Sequence, residues 1–142
     1  MTSRLDPRAV SIAFAGGAVG GIANRAALWL LGLAGVAAPV HLASPPSDGD
    51  KLWLYSAIAW GGLWGFLFLI PWPRRWWQRA LLFSLGPDLG LWLVFFPLIW
   101  NLGPFGVGLG AWGGLAVPLI ANAAWGIAAA GWIEILCRGR GT

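Results

Sequence analysis

The stretch LWLYSAIAWGGLWGFLFLI, which occupies residues 52–70, contains no charged side chain. An α-helix needs about 20 consecutive, mainly apolar residues to cross the hydrocarbon core of a lipid bilayer. This stretch has that length, and its mixture of Trp, Gly and aliphatic residues is typical of membrane helices. It therefore predicts a transmembrane helix, and the segments on either side decide how many others accompany it.

One more apolar stretch of similar length precedes this helix and two follow it. Connectors rich in Pro, Gly or charge separate them. The four predicted spans are about residues 9–33, 52–70, 80–100 and 111–136. Pro71 and Pro73 end the second span, because proline cannot donate the backbone hydrogen bond that would continue the helix. We therefore predict an all-α fold in which residues 1–142 form a single transmembrane domain, a polytopic bundle of four helices.

The composition indicates the same class of protein. Of the 142 residues, 58% are hydrophobic and 10% are charged, and the mean hydropathy is +0.73, whereas about 25% of the residues in a soluble domain are charged. A surface with so little charge is suited to contact with a lipid bilayer. The pI of about 10.7 does not indicate nucleic-acid binding, because the basic residues form short clusters between apolar stretches.

The positive residues predict the orientation of the four spans. Cytoplasmic connectors of membrane proteins are enriched in Lys and Arg. With four spans, Lys51 falls on one side of the membrane. The other side receives Arg4, Arg8, Arg74, Arg75, Arg79, Arg138 and Arg140. Both termini should therefore be cytoplasmic, in what we interpret as a bacterial inner membrane. The first apolar stretch exceeds the roughly 7–15-residue h-region of a signal peptide, so we expect it to be retained.

Glycines recur at intervals of four residues, which places them on one face of a helix. The pairs that we expect to pack against other helices are Gly17 with Gly21, Gly61 with Gly65, and Gly110 with Gly114. Small residues let two helix backbones approach closely, and van der Waals contact then holds them together in lipid. The spacing leaves two interpretations open: these faces are buried within the bundle, or they bind a second copy or another membrane subunit.

Four polar residues lie within the predicted spans: Asn24, Arg25, Asp88 and Asn122. A charge at mid-membrane depth disfavours insertion by about 2.5–3.5 kcal/mol unless it finds a partner or water. Three arrangements are compatible with the sequence. Arg25 pairs with Asp88, directly or through Asn24 or water; Arg25 extends outward while Asp88 is hydrogen-bonded alone or protonated; or Asp88 belongs to a proton or ion relay.

Trp60 and Trp64 are four residues apart and share one face of the second span. Such a pair of rings either packs against helices and lipid, or forms the wall of a site for a flat apolar ligand, such as a quinone or a carotenoid or chlorin pigment. Several other Trp residues lie at predicted span ends, where indole rings anchor at the membrane interface.

Two parts of the sequence resemble known groups of membrane proteins. The Gly-rich segment that leads into an arginine, GGAVGGIANR at residues 16–25, resembles the first helix of the small dual-topology fluoride channels. Those channels also have a Gly-Thr-Leu-Val-Asn-type second helix and a third helix rich in Thr and Phe, which this chain lacks, so no ion site is transferred. The segments at residues 60–68 (WGGLWGFLF) and 96–98 (FPL) are similar to uncharacterised small bacterial four-span membrane proteins, a resemblance that implies the fold and no particular function.

The chain lacks the residue sets that most enzymes need. It has one histidine, His41, and one cysteine, Cys137, and it has no Ser-His-Asp or Cys-His set, no metal-ligand cluster and no phosphate-binding loop. We therefore expect no catalytic activity, no metal and no cofactor. The first hypothesis is an accessory or structural subunit that packs on a larger membrane complex or on itself. The alternatives are a small solute or ion channel or transporter that uses Asp88, Arg25 and Asn122, and a binder of an apolar lipid, quinone or pigment.

Overall fold

The structure, a computed structural model, describes residues 6–36, 51–72 and 75–138, and within these ranges it contains helices and no strand. The four α-helices are α1 (Pro7–Leu33), α2 (Lys51–Gly65), α3 (Trp76–Gly90) and α4 (Val117–Arg138). The all-α prediction is thus confirmed for the described part of the chain. The features that lie outside the described residues are Arg4, His41, Pro73, Arg74, Arg140 and almost all of the 38–51 connector.

Shorter helical segments lengthen three of these helices. A 3₁₀ turn, Phe66–Leu69, continues α2; a π-helical segment, Leu91–Ile99, continues α3; and a second π-helical segment, Trp112–Ala116, leads into α4. With these additions, three helices in the described ranges are long and apolar enough to cross a membrane: Lys51–Leu69, Trp76–Ile99 and Trp112–Cys137. They coincide with three of the predicted spans, although the third predicted span begins earlier, at Trp76.

α1 has 27 residues but is not one of the three helices with membrane-spanning length and apolarity. The polar pair Asn24 and Arg25 lowers its hydropathy, whereas its length of about 40 Å at 1.5 Å per residue exceeds the hydrocarbon core. The helix begins at Pro7, which is favourable at a first helical position because its missing N–H needs no partner there. The Asp6 carboxyl accepts a hydrogen bond from the backbone N–H of Arg8 at 3.1 Å and so caps the helix.

The first glycine face of α1 packs against α2. Gly17 and Gly21 lie against Gly61 and Gly65, and a methyl group added at Gly21 would overlap the carbonyl oxygen of Ala57. The obstacle is backbone, so it could move only if the two helices separated. Close approach of this kind is what holds helices together in lipid.

The second glycine face of α1 packs against α4. A methyl group added at Gly20 would lie 2.6 Å from the carbonyl oxygen of Trp125, and one added at Gly16 would lie 2.8 Å from the Ile133 side chain. The Trp125 Nε1–H donates a hydrogen bond to the Gly17 carbonyl oxygen at 3.1 Å. Both small-residue faces of α1 are therefore buried inside the chain, and neither is left for a partner.

The connector between α3 and α4 contains a 3₁₀ segment, Pro104–Leu109. Gly106 in this segment has a φ of +66° and lies against the Cα atom of Gly114. Gly110 has a φ of +71°, and a methyl group added there would have no neighbouring atom within 4 Å. Gly114 therefore packs on the connector, whereas Gly110 supplies the left-handed backbone that the turn needs and makes no helix contact.

Two prolines coincide with the irregular helical segments. Pro97 lies inside the π-helical segment that follows α3, and Pro118 lies just after the one that precedes α4. Pro118 has no N–H to donate to the carbonyl oxygen of Gly114, four residues earlier. The indole Nε1–H of Trp92 donates to that oxygen at 2.8 Å and joins the two helices at this point.

Large apolar side chains cover the outside of the bundle, and polar groups lie within it. The side chains of Leu98 and Ile135 are 76% and 70% exposed, whereas Asp88 is fully buried and Asn122 is 9% exposed. Proteins in water have the opposite distribution, with acidic side chains outside. Hydrocarbon solvates such an apolar surface without penalty, provided that the backbone polar groups are paired within helices.

Candidate functional site

A cavity of about 250 Å³ lies within the bundle, and all four helices contribute to its lining. α1 packs along α2 and α4, and α4 packs along α3, whereas α2 and α3 do not pack closely along their lengths. Trp64 of α2 extends towards α3, and a methyl group added at Gly90 of α3 would lie 3.0 Å from its ring. The absence of a side chain at Gly90 therefore leaves room for the indole ring against α3.

Aromatic side chains form most of the cavity wall. The rings that line it belong to Trp60, Trp64, Phe95, Phe96, Trp100 and Trp125. Trp60 meets Phe95 edge to face, with ring centroids 5.7 Å apart and an interplanar angle of 86°. Trp60 is also 52% exposed and Trp100 is 40% exposed, so the cavity reaches the outer surface of the bundle beside these two rings.

The two π-helical segments shape the opposite wall. The segment Leu91–Ile99 contributes Leu91 and the consecutive rings of Phe95 and Phe96. The segment Trp112–Ala116 contributes Gly113. π-Helical turns are uncommon in proteins and are frequent at functional sites, where they change the direction in which side chains point. The cavity therefore depends on local departures from α-helical geometry.

A chain of three polar side chains connects α1, α4 and α3 beside the cavity. The Asn24 Nδ2–H donates to Asn122 Oδ1 at 2.8 Å, and the Asn122 Nδ2–H donates to Asp88 Oδ1 at 2.7 Å. The other carboxyl oxygen of Asp88, Oδ2, is buried without a hydrogen-bond partner among the described residues. Three of the four predicted intramembrane polar residues are thus brought together, and Asn122 is the residue that links them.

Arg25 makes a different contact. Its guanidinium lies beside the hydroxyl of Ser56 on α2, with Nη2 at 3.5 Å from Oγ, and that hydroxyl donates to the Trp53 carbonyl oxygen at 2.9 Å. Asp88 is not its partner among the described contacts, in which the carboxyl group bonds to Asn122 and Arg25 contacts Ser56. Arg25, Asn24, Ser56 and Asn122 all line the cavity, whereas Asp88 lies behind Asn122 and does not reach it.

Some of the lining could be predicted from the sequence and some could not. Trp60 and Trp64 both line the cavity, as one of the two interpretations of that pair supposed. Ser56 was missed, although it lies four residues before Trp60 and therefore on the same helix face. The sequence does not predict that Phe95 and Phe96 line the cavity, because the directions of their side chains follow from the π-helical segment.

The site therefore combines an apolar, ring-lined space with a few hydrogen-bonding groups at one edge, which is the general character of small-molecule sites. A metal centre has no support within residues 6–36, 51–72 and 75–138, since no group of three His, Cys, Asp or Glu side chains gathers there. No family model, no curated protein and no solved structure matches this chain.

Proposed function

We propose that the chain is a non-catalytic integral membrane protein that holds an apolar small molecule, such as a lipid, a quinone or a pigment, in the cavity between its helices. The observation that carries the proposal is the 250 Å³ cavity walled by six aromatic rings. Rings of this kind offer flat faces to a ligand at little conformational cost. The exposed edges of Trp60 and Trp100 provide an entrance from the lipid.

Retained ligand can be detected by mass spectrometry after purification in a mild detergent. Trp60→Ala removes one wall, and we expect it to weaken ligand retention about two- to twelvefold, because an aromatic pair contributes about 0.5–1.5 kcal/mol. Trp132→Ala is the matched control, since Trp132 is 41% exposed on α4 and does not line the cavity. A wild-type protein that carries no small molecule and binds none of these classes contradicts the proposal.

The proposed topology has four spans, with α1 as the fourth, both termini in the cytoplasm and a bacterial inner membrane around them. Support comes from the length of α1, its burial between two membrane-spanning helices, and the arginines near the two termini and the 71–79 turn. The side chains of α1 that disfavour insertion, Asn24 and Arg25, face polar neighbours and the cavity instead of lipid.

Cys137 provides a direct test of this topology, because it is the single cysteine of the chain and is exposed at the end of α4. A membrane-impermeant maleimide should label it only after the cells are permeabilised. The matched control is Cys137→Ser combined with Val107→Cys, since Val107 is 69% exposed in the connector on the opposite side. Labelling of Cys137 from outside intact cells is incompatible with the orientation.

Docking on a larger membrane complex or on a second copy is a separate proposal, and the packing gives it less support than the sequence did. The glycine faces of α1 are occupied by α2 and α4, and Gly114 packs on the connector before α4. What remains is an exposed apolar surface, which lipid also covers. Native electrophoresis after mild solubilisation tests it, and a monomer in every detergent would count against it.

Transport is a second candidate function, and one observation favours it: the buried Oδ2 of Asp88 at the end of the three-residue polar chain. A carboxyl oxygen without a partner can take up or release a proton or a cation. Flux through liposomes containing the protein decides the matter. The candidate fails if no flux is measured, or if Asp88→Asn leaves the flux unchanged.

A further inference from the structure

Arg25 has more hydrogen-bonding capacity than the described residues satisfy. A guanidinium has five N–H donors and no acceptor. Within the described ranges its hydrogen-bond acceptor is Ser56 Oγ, and the 3.5 Å separation is at the outer limit of a hydrogen bond. The same hydroxyl already gives its proton to the Trp53 carbonyl. The guanidinium thus lines an apolar cavity with most of its donors unused.

The Asp88 carboxyl group, which could neutralise Arg25, does not reach the cavity that Arg25 lines. Asp88 lies behind Asn122 and accepts a hydrogen bond from it. Asn122 in turn accepts from Asn24, and its neutral amide carries no charge that could neutralise Arg25. A cation in a low-dielectric site strongly favours a counter-charge, and the polar side chains described around the cavity provide none at this position.

We propose that the ligand is a single-chain amphiphile with a carboxylate head, such as a fatty acid, and that Arg25 binds this carboxylate. The inference rests on the proposed ligand-binding function. The planar guanidinium fork matches a carboxylate with two parallel hydrogen bonds, and the pair is strong because both partners are charged. The aromatic walls accept the apolar chain that follows the head.

The size of the cavity agrees with a head and part of a chain. A volume of about 250 Å³ accommodates roughly eight groups of the size of a water molecule or a methylene, at about 30 Å³ each. A longer chain would leave beside Trp60 and Trp100, where the cavity reaches the outer surface. Arg25 lies eight residues before the end of α1 at Leu33, or about 12 Å along the axis, so in the proposed topology the ligand enters from the outer leaflet.

The test compares two probes of equal chain length, palmitate and methyl palmitate, on the detergent-solubilised full chain by native mass spectrometry. Palmitate should bind with one-to-one stoichiometry and at least tenfold more tightly than the ester, because the ester lacks the charge. Arg25→Gln should abolish this preference, Arg25→Lys should keep part of it, and Trp132→Ala should leave it unchanged. Removing a charge from a membrane helix favours insertion, so Arg25→Gln is expected to fold.

The outcomes separate this inference from the proposed function. Equal binding of acid and ester, or a preference for the acid that survives Arg25→Gln, overturns the carboxylate inference while ligand binding stands. If the protein is instead purified with a bound neutral quinone or pigment, the carboxylate inference is overturned and ligand binding stands. Failure of every apolar probe to bind overturns both. Thermal unfolding in the same detergent verifies that each variant is folded, and the acid–ester comparison on the wild-type protein needs no variant.

Discussion

Asn122→Ala should destabilise the bundle, because Asn122 on α4 is bonded to side chains of both α1 and α3. The substitution removes the bond from Asn24 at 2.8 Å and the bond to Asp88 at 2.7 Å. Two side-chain hydrogen bonds in a membrane protein contribute about 0.6 kcal/mol each on average, or roughly 1.2 kcal/mol. Leaving the fully buried Asp88 carboxyl with no partner adds about 1–3 kcal/mol. The expected loss in the free energy of unfolding is therefore about 2–4 kcal/mol.

Unfolding in mixed micelles with increasing SDS, followed by circular dichroism, measures this loss. Asn24→Ala is the matched control: it removes one of the two bonds and keeps Asp88 paired, so it should lower the free energy of unfolding by about 0.6 kcal/mol. The double variant Asp88→Leu/Asn122→Leu removes both polar partners. It should be more stable than the sum of the separate effects of Asp88→Leu and Asn122→Leu predicts. A loss below about 0.5 kcal/mol for Asn122→Ala, or strict additivity in the double variant, would refute the reasoning.

Two further predictions concern helix packing and use the same unfolding assay. Gly21→Ala should lower the free energy of unfolding by about 1–3 kcal/mol, because the new methyl group meets the Ala57 carbonyl; Gly131→Ala, which has open space around it, should have no such effect. Trp92→Phe should lower the free energy of unfolding by about 1–3 kcal/mol, because it leaves the Gly114 carbonyl without its donor. Equal stability of the two glycine variants would contradict the close approach of Gly21 to Ala57. A Trp92→Phe variant as stable as the wild type would contradict the hydrogen bond to Gly114.

The extent of the helices could be predicted from the sequence because apolar length is a strong and local signal. The stretch at residues 52–70 differs by one residue at each end from the helix Lys51–Leu69. The predicted start of the third helix is too late, since Trp76 and Trp77 belong to the helix although they follow a basic turn. The Gln78 side chain accepts a hydrogen bond from the Arg75 N–H and helps to begin that helix early.

Far less of the cavity could be predicted from the sequence. The glycine spacing is the same whether a face meets another helix of the chain or a partner, so only the tertiary arrangement distinguishes the two. Likewise, the rise per residue places Arg25 and Asp88 at different depths, but it does not reveal that Asn122 bonds the carboxyl group. The π-helical segments depend on how Pro97 and Pro118 are accommodated by neighbouring helices, which no local pattern specifies.

The position of α1 between α2 and α4 has a consequence for biosynthesis. α1 is made before α2, α3 and α4, yet one of its glycine faces and its Asn24 amide meet their partners only on α4, the last of these four helices to leave the ribosome. Until then the nascent bundle offers an unfinished groove with an uncovered amide to the bilayer. Translation arrest before residue 117 should therefore yield a product that membrane quality-control proteases recognise, whereas an arrest product that contains all of α4 escapes them.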